Sequence, residues 1–230
     1  MGESALERLR QARVALFGAG GVGSWCAEAL VRNGIGKLTV MDSDLVCETN
    51  INRQLQATRS TLGIPKVKAL TARLEDINPD AEIIGHFESW NPRSSESFDL
   101  AGHDYIVDAI DSLGAKVDLI ARTLAGNNVL FSSLGASRKL DPTRIRVGSF
   151  WDVEGCPLGK HMRKRLRNRG ATGDFQCVYS SENLPGLFPE VADAQDDMEP
   201  QIHGSAVHVT AVFGLVLAGL VVQDVVGIKE

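Results

Sequence analysis

A doubly wound, mostly parallel α/β sheet is the fold this sequence predicts, and three observations predict it. Apolar strand-like runs alternate with helical patterns through the first 150 residues, which is the signature of βαβ units. A glycine-rich turn, GAGGVG, stands between the first such run and the first helical pattern. Near-continuous apolar runs such as YIVDAI suit strands covered on both faces.

Taken in order, residues 14–17 form a strand candidate that enters the glycine turn, and 24–32 continue with helical spacing. KLTVM at 37–41 is the next strand. Pro65 then opens a helix over 66–77, with Val67, Leu70, Leu74 and Ile77 on one face, ending before Pro79. Residues 82–87, 105–110, 129–132 and 145–150 read as strands, and 115–124 as a helix. A basic helix comes next over 157–169, with Leu158, Met162 and Leu166 as its apolar stripe. Residues 170–204 lose periodicity, are rich in Gly, Pro, Ser and acids, and read as a surface crossover. A core helix over about 205–226 closes the chain. The organisation expected is one domain over 1–230: a nucleotide-binding core at 1–135, the basic segment and crossover at 136–204, and the C-terminal helix at 205–230.

Composition excludes several classes. With 43% hydrophobic and 23% charged residues the chain is neither disordered nor fibrous. Cys26, Cys47, Cys156 and Cys177 are scattered without a C-x-x-C pair, so neither a disulfide framework nor a tetrahedral zinc site is expected. The N-terminus lacks a signal pattern, which points to the cytoplasm. The apolar run 207–222 is shorter than the ~20 residues of a spanning helix, so no stable membrane span is expected. The net charge of −5 hides a reversal: residues 138–169 hold ten Lys/Arg against three acids, +7, leaving −12 elsewhere.

The chemistry starts at Gly18-Ala19-Gly20-Gly21-Val22-Gly23. Glycines there let the backbone turn tightly and approach phosphate, whose charge the helix N-terminus favours. Asp42 lies 21 residues beyond Gly21 at the end of the second strand, where an acid accepts hydrogen bonds from ribose. Strand, glycines and acid together make a Rossmann-like nucleotide site, against the alternative of a plain tight turn. NAD and ATP both fit this loop. The downstream motifs favour ATP. Asn50-Ile51-Asn52-Arg53-Gln54, Pro65-Lys66-Val67 and Asp108-Ala109-Ile110-Asp111 bring an Arg, a Lys and a second acid toward the phosphate end. Hydride transfer has no use for them. Activation of a carboxylate by ATP does, because charge grows on the attacked phosphate as pyrophosphate leaves.

In this order the motifs G-x-G-G-V-G, D-x-D-x-V, N-x-N-R-Q, P-K-V and D-A-x-D resemble the ThiF/MoeB-like adenylating enzymes, relatives of ubiquitin-activating proteins. The resemblance implies that Gly18, Gly20, Gly21, Gly23, Asp42, Asp44, Asn50, Arg53, Gln54, Lys66 and Ser112 bind ATP, with Asp42 on ribose. It also implies that Arg53, Lys66 and Asp111 are catalytic and that Asp111 ligates Mg²⁺. Read singly, Asp111 could be a helix cap, Lys66 a solvated first-turn residue and Arg53 a loop salt bridge.

The second half, with Ser132-Ser133-Leu134-Gly135-Ala136, Lys139-Leu140-Asp141-Pro142-Thr143-Arg144-Ile145, Cys156-Pro157-Leu158-Gly159-Lys160, Val178-Tyr179-Ser180-Ser181-Glu182 and Phe213-Gly214-Leu215, resembles the tRNA threonylcarbamoyladenosine dehydratases. That branch implies ATP-dependent, cyclising dehydration of the modified adenosine beside the anticodon, in a homodimer. Arg163, Lys164, Arg165, Arg167 and Arg169 would then contact tRNA phosphates; the plain alternative is a solvated helix face. The rival branch adenylates the C-terminus of a small sulfur-carrier protein, often with two C-x-x-C pairs. Two departures from the family pattern stand out. Relatives carry an N-terminal Arg segment of which most is missing here, and Ser137-Arg138 stand where two glycines are common. Cys156 reads as structural.

Overall fold

The computed structural model describes residues 1–184, 187 and 204–228. Seven strands form one sheet: β1 (Arg13–Phe17), β2 (Lys37–Met41), β3 (Glu82–His86), β4 (Tyr105–Asp108), β5 (Val129–Ser133), β6 (Ile145–Ser149) and β7 (Gln176–Ser180). Their order is β3-β2-β1-β4-β5-β7-β6. All neighbours are parallel except β6, which runs antiparallel to β7 at the edge. The order reverses between β1 and β4, and in such sheets that switch point opens a crevice at the carboxyl ends of the strands.

Among the described residues seven α-helices accompany the sheet: α1 (Glu3–Gln11), α2 (Gly23–Arg32), α3 (Lys66–Ile77), α4 (Pro92–Ser97), α5 (Leu113–Leu124), α6 (Pro157–Asn168) and α7 (Val207–Val226). Alternation along β1 shows why both faces are covered. Val14 and Leu16 enter one core with Leu30, Leu38, Leu70 and Phe213. Ala15 and Phe17 enter the other with Ile106, Ile120, Phe150, Met162 and Leu166. Each side of the pleat meets a helix layer at the inner strands, so these need no polar face, whereas the edge strands β3 and β6 stay exposed or half-buried.

The chain departs from expectation in four places. β7 lies within the segment 170–204 expected to be a crossover, and it inserts between β5 and the earlier strand β6. QCVYS is only five residues long in a stretch rich in Gly, Ser and acids, so its pairing to β5 is a tertiary event with weak local signal. The acids of that segment at 193, 196, 197 and 199 lie outside the described residues. α1 and α4 are two further helices that the sequence pattern does not predict. α4 starts at Pro92 behind Asn91, whose side chain accepts from the amides of Arg93 and Ser94, a standard N-cap. The fourth departure concerns α7. At 20 residues it is long and apolar enough to cross a membrane, the only such helix among the described residues, whereas the interrupted run 207–222 reads as too short. It buries two rows, Val209, Phe213, Leu217 and Val221 beside Thr210, Gly214 and Ala218, mainly against α2, α1 and the sheet. Gly214 permits the close crossing, because a Cβ there would collide with the Val22 carbonyl.

Candidate active site

β1, β2 and β4 converge on a cleft of about 1460 Å³. The glycine turn forms its floor. Gly18 has φ +96°, and a Cβ on it would lie 2.6 Å from the Ala109 carbonyl oxygen, so the left-handed turn and its contact with the end of β4 both require glycine. Gly20 and Gly21 line the cleft; Gly23 does not, and instead packs as the first residue of α2 against the Gly18 carbonyl. The amide of Ala19 donates to Asp42 Oδ2 at 2.7 Å and its carbonyl accepts from Gln56 Nε2 at 2.8 Å. Gln56, which the sequence does not single out, therefore braces the turn from a buried position.

Asp42 immediately follows β2, and its Oδ1 accepts the Asp44 amide at 2.8 Å. Burial raises its pKa above the ordinary carboxylate value, while Lys66 and the two amides act the other way. Each oxygen keeps a second lone pair for a ribose hydroxyl. The Asp44 strip is tied to the start of α3: the Lys66 amide donates to the Asp44 carbonyl at 2.9 Å, and Lys66 Nζ meets Asp44 Oδ2 at 2.6 Å. Lys66 is buried while Asp44 is 64% exposed. The ammonium is thus pinned at the cleft by its helix and its neighbour rather than solvated.

The N-x-N-R-Q segment folds as a tight turn, with the Asn50 side chain accepting the Cys47 amide at 3.1 Å. The Arg53 guanidinium bonds the Thr49 carbonyl at 2.8 Å and Asn52 Oδ1 at 3.0 Å, not an acid. Gln54 is buried, and its Oε1 lacks a hydrogen-bond partner. An orphaned acceptor beside a glycine cradle fits a ligand donor, since such an atom is costly to leave unmade. Across the cleft, Asp111 and Ser112 precede α5, both exposed. Ser112 occupies the N-cap position without a side-chain cap bond, and Asp111 does not cap either, so the capping alternative fails for both. All the sequence-derived nucleotide residues except Gly23 line this one cleft.

No cluster of three potential metal ligands exists among the described residues. One carboxylate plus phosphate oxygens and water is the usual environment for Mg²⁺, so Asp111 suits that ion and would not suffice for a metal without the nucleotide.

The cleft continues past the nucleotide residues to loop 134–139, Cys156–Leu158, Glu182 and Ser205. Lys139 is buried there and donates to the Glu182 carbonyl; burial lowers its pKa despite the nearby acid. The Glu182 carboxylate accepts the amides of Leu140 at 2.8 Å and Asp141 at 3.1 Å. Sequence reading misses this clamp, whose partners are 43 residues apart. Arg138 has φ +58°, in the left-handed region that favours glycine, and its amide is held by the Gly204 carbonyl at 2.8 Å. Cys156 is buried in the wall.

α6 leaves the cleft at Pro157 and Leu158 and carries a groove of about 440 Å³ lined by Lys160, His161, Arg163, Lys164, Arg167 and Asn168. The five arginines and lysines proposed for RNA differ in setting. Arg163 donates to the Val153 carbonyl at 2.8 Å, Arg167 lies 5.1 Å over the Trp151 ring, and Arg169 pairs with Asp118 at 2.7 Å. Lys164 and Arg165 are exposed. Of the arginines before β1 and at its start, Arg8 bonds the Val226 carbonyl and Arg13 pairs with Asp104, both away from the cleft.

The ThiF family matches residues 1–230. The chain belongs to the ThiF family. Within it, the tRNA threonylcarbamoyladenosine dehydratase of Bacillus subtilis is 37% identical over 97% of this chain and 91% of its own length. The Escherichia coli tRNA N6-threonylcarbamoyladenosine dehydratase, solved with AMP, superposes with a TM-score of 0.86 at 34% identity, covering 97% of this chain and 90% of that one. The same enzyme has been solved with ATP, at a TM-score of 0.85 over 97% and 89%. A ubiquitin-like modifier-activating enzyme 5 from Aedes aegypti is 42% identical, but over only 51% of this chain and 28% of its own. Similarity to that ThiF relative thus covers half of this chain, while similarity to the dehydratases extends over nearly all of it.

Proposed function

We propose that this ThiF-family protein is an ATP-dependent tRNA threonylcarbamoyladenosine dehydratase that uses Mg²⁺ and works in the cytoplasm. The observation that carries the reading is the single cleft. It joins the glycine turn, Arg53, Lys66 and Asp111 to a second lobe at the foot of the basic helix. About 1460 Å³ exceeds the roughly 300–1,000 Å³ of a one-ligand pocket, leaving room for a nucleotide and a modified base together.

Gly18, Gly20 and Gly21 would cradle the phosphates of ATP and Asp42 would hold its ribose, with Asp44, Asn50, Gln54 and Ser112 lining the same cleft. The threonyl carboxylate of the modified adenosine attacks the α-phosphorus. A carboxylate–phosphorus bond forms, the bond to the β-phosphate oxygen breaks, and pyrophosphate leaves. Arg53 and Lys66 face the charge that grows on the phosphate oxygens. Asp111 would hold Mg²⁺ there, and the ion would supply further neutralisation of that charge. The neighbouring carbamoyl group then attacks the activated carbonyl, closes a ring and releases AMP; the net change is loss of water. Incubation with ATP and tRNA bearing threonylcarbamoyladenosine, with mass spectrometry of the nucleosides afterwards, should show the cyclic product and one AMP per ring. Absence of both, with intact ATP binding, would defeat the proposal.

We assign tRNA phosphate binding to the basic surface of α6 and its C-cap: Arg163, Lys164 and Arg167 in the groove, with Arg165 and Arg169 beside it. The informative variant replaces Lys160, Lys164 and Arg165 by Gln, because Arg163 and Arg169 also hold neighbouring structure. Gln keeps helix propensity. Binding should weaken, and each lost contact should flatten the salt slope by about 0.7–0.9. Wild-type affinity and slope would make α6 a solvated face.

A homodimer is also proposed, on family resemblance, with the exposed apolar Val207 and Leu215 of α7 as the face available for it. Sedimentation should give about twice the 24.8 kDa of the chain; a monomer at micromolar concentration contradicts this.

A further inference from the structure

Beneath the turn that carries Asp111 lies an ion pair with no role in the reaction above. Asp108 ends β4, Lys116 sits in the first turn of α5, and neither side chain has exposed surface. Their charges meet at 2.7 Å. Asp108 Oδ2 also accepts the Ser132 hydroxyl at 2.6 Å, and Oδ1 accepts the Ile110 amide at 3.1 Å. Lys116 Nζ donates in addition to the Ile110 carbonyl at 2.9 Å. The pair therefore grips both backbone polar groups of the residue immediately before Asp111. On the far side of Asp111, the Lys116 amide holds the Ser112 carbonyl at 2.9 Å.

Stability does not account for this arrangement. Withdrawing two charges from water generally costs as much as their attraction returns, and a well-packed apolar pair of similar volume is usually as stable. What an apolar pair cannot do is fix an N–H and a C=O with short charge-assisted hydrogen bonds. The turn so fixed presents the exposed Asp111 carboxylate to the cleft.

We propose that Asp108 and Lys116, with Ser132, are positioning residues that hold turn 109–112 so that the Asp111 carboxylate meets the metal on the nucleotide phosphates. The proposal rests on the adenylation reading for Asp111. It is tested with the double variant Asp108→Leu/Lys116→Met, which removes both charges together, and with Ser132→Ala, a milder change that leaves the pair in place. Mn²⁺ is titrated into the protein–ATP complex and the free ion is tracked by electron paramagnetic resonance, beside Asp111→Asn. Groups that orient a metal ligand typically govern affinity by about 10–100-fold, so the folded double variant should bind Mn²⁺ weaker by that factor while metal-free ATP affinity stays unchanged. Ser132→Ala should shift Mn²⁺ affinity in the same direction by less, and it decides the matter if the double variant does not fold. Wild-type Mn²⁺ affinity in the folded double variant, or in Ser132→Ala where the double variant fails to fold, reduces the pair to core packing and overturns the proposal. So does wild-type affinity in Asp111→Asn, because the turn then presents no ligand. Failure of the wild-type protein to form AMP with tRNA would sink the dehydratase reading instead, and leaves the Mn²⁺ comparison intact.

Discussion

Asp111→Asn is expected to reduce AMP formation from ATP and modified tRNA by about 10²–10³-fold, the equivalent of several kcal/mol of charge stabilisation at the phosphates. The substitution removes one negative charge and keeps size and shape. Asp111 is exposed and makes no cap bond to α5, so stability should change by no more than about 0.5 kcal/mol. A drop in turnover with an unchanged unfolding transition would therefore belong to the chemistry. The measurement is AMP release across a Mg²⁺ series; raised Mg²⁺ should recover part of the rate. Wild-type turnover at low Mg²⁺ would remove Asp111 from the site.

Lys66→Met should lower kcat by about 10²-fold or more, the size seen when one fixed donor to a developing charge is lost. Met retains much of the length of the stem, and Lys66 is buried in an ion pair with the exposed Asp44. Replacing a buried ammonium by an apolar chain leaves the exposed Asp44 to water, which costs little. Arg53→Met should act in the same direction. Its guanidinium is held by a carbonyl and an amide oxygen, so its charge is not neutralised in place. The diagnostic is how the loss divides. Interactions made only as charge develops reduce kcat, whereas uniform binding shows in KM for ATP. Loss of ATP affinity with unchanged kcat would mark both as passive contacts.

Some of this architecture is written in short stretches of chain. KLTVM and the pattern of Val67, Leu70, Leu74 and Ile77 after Pro65 specify β2 and α3 to the residue, because period 2 and period 3.6 are local properties of a dozen residues at most. GAGGVG between strand and helix specifies a tight glycine turn, because glycine readily takes Gly18's positive φ and leaves room for its contact with Ala109. Each motif also sits at the end of a strand or the start of a helix, so once the strands are parallel and adjacent their carboxyl ends bring Asp42, Lys66 and Asp111 to one place.

Pairings between distant segments arise only when the chain has folded. β7 enters the sheet ahead of β6 in space though behind it in sequence, since the slot beside β5 rewards burial that a five-residue segment cannot advertise. Asp108 stands in an apolar strand and Lys116 eight residues on in a helix, and nothing local marks them as partners. They become one buried unit only when α5 packs over β4 and Ser132 arrives from β5. Lys139 finds Glu182 in the same way. Composition announces the charge of α6, but not that Arg163 and Arg169 also anchor a loop carbonyl and Asp118. A charge's partner depends on which groups share its desolvated neighbourhood, and that neighbourhood exists only after the sheet and its two helix layers have closed.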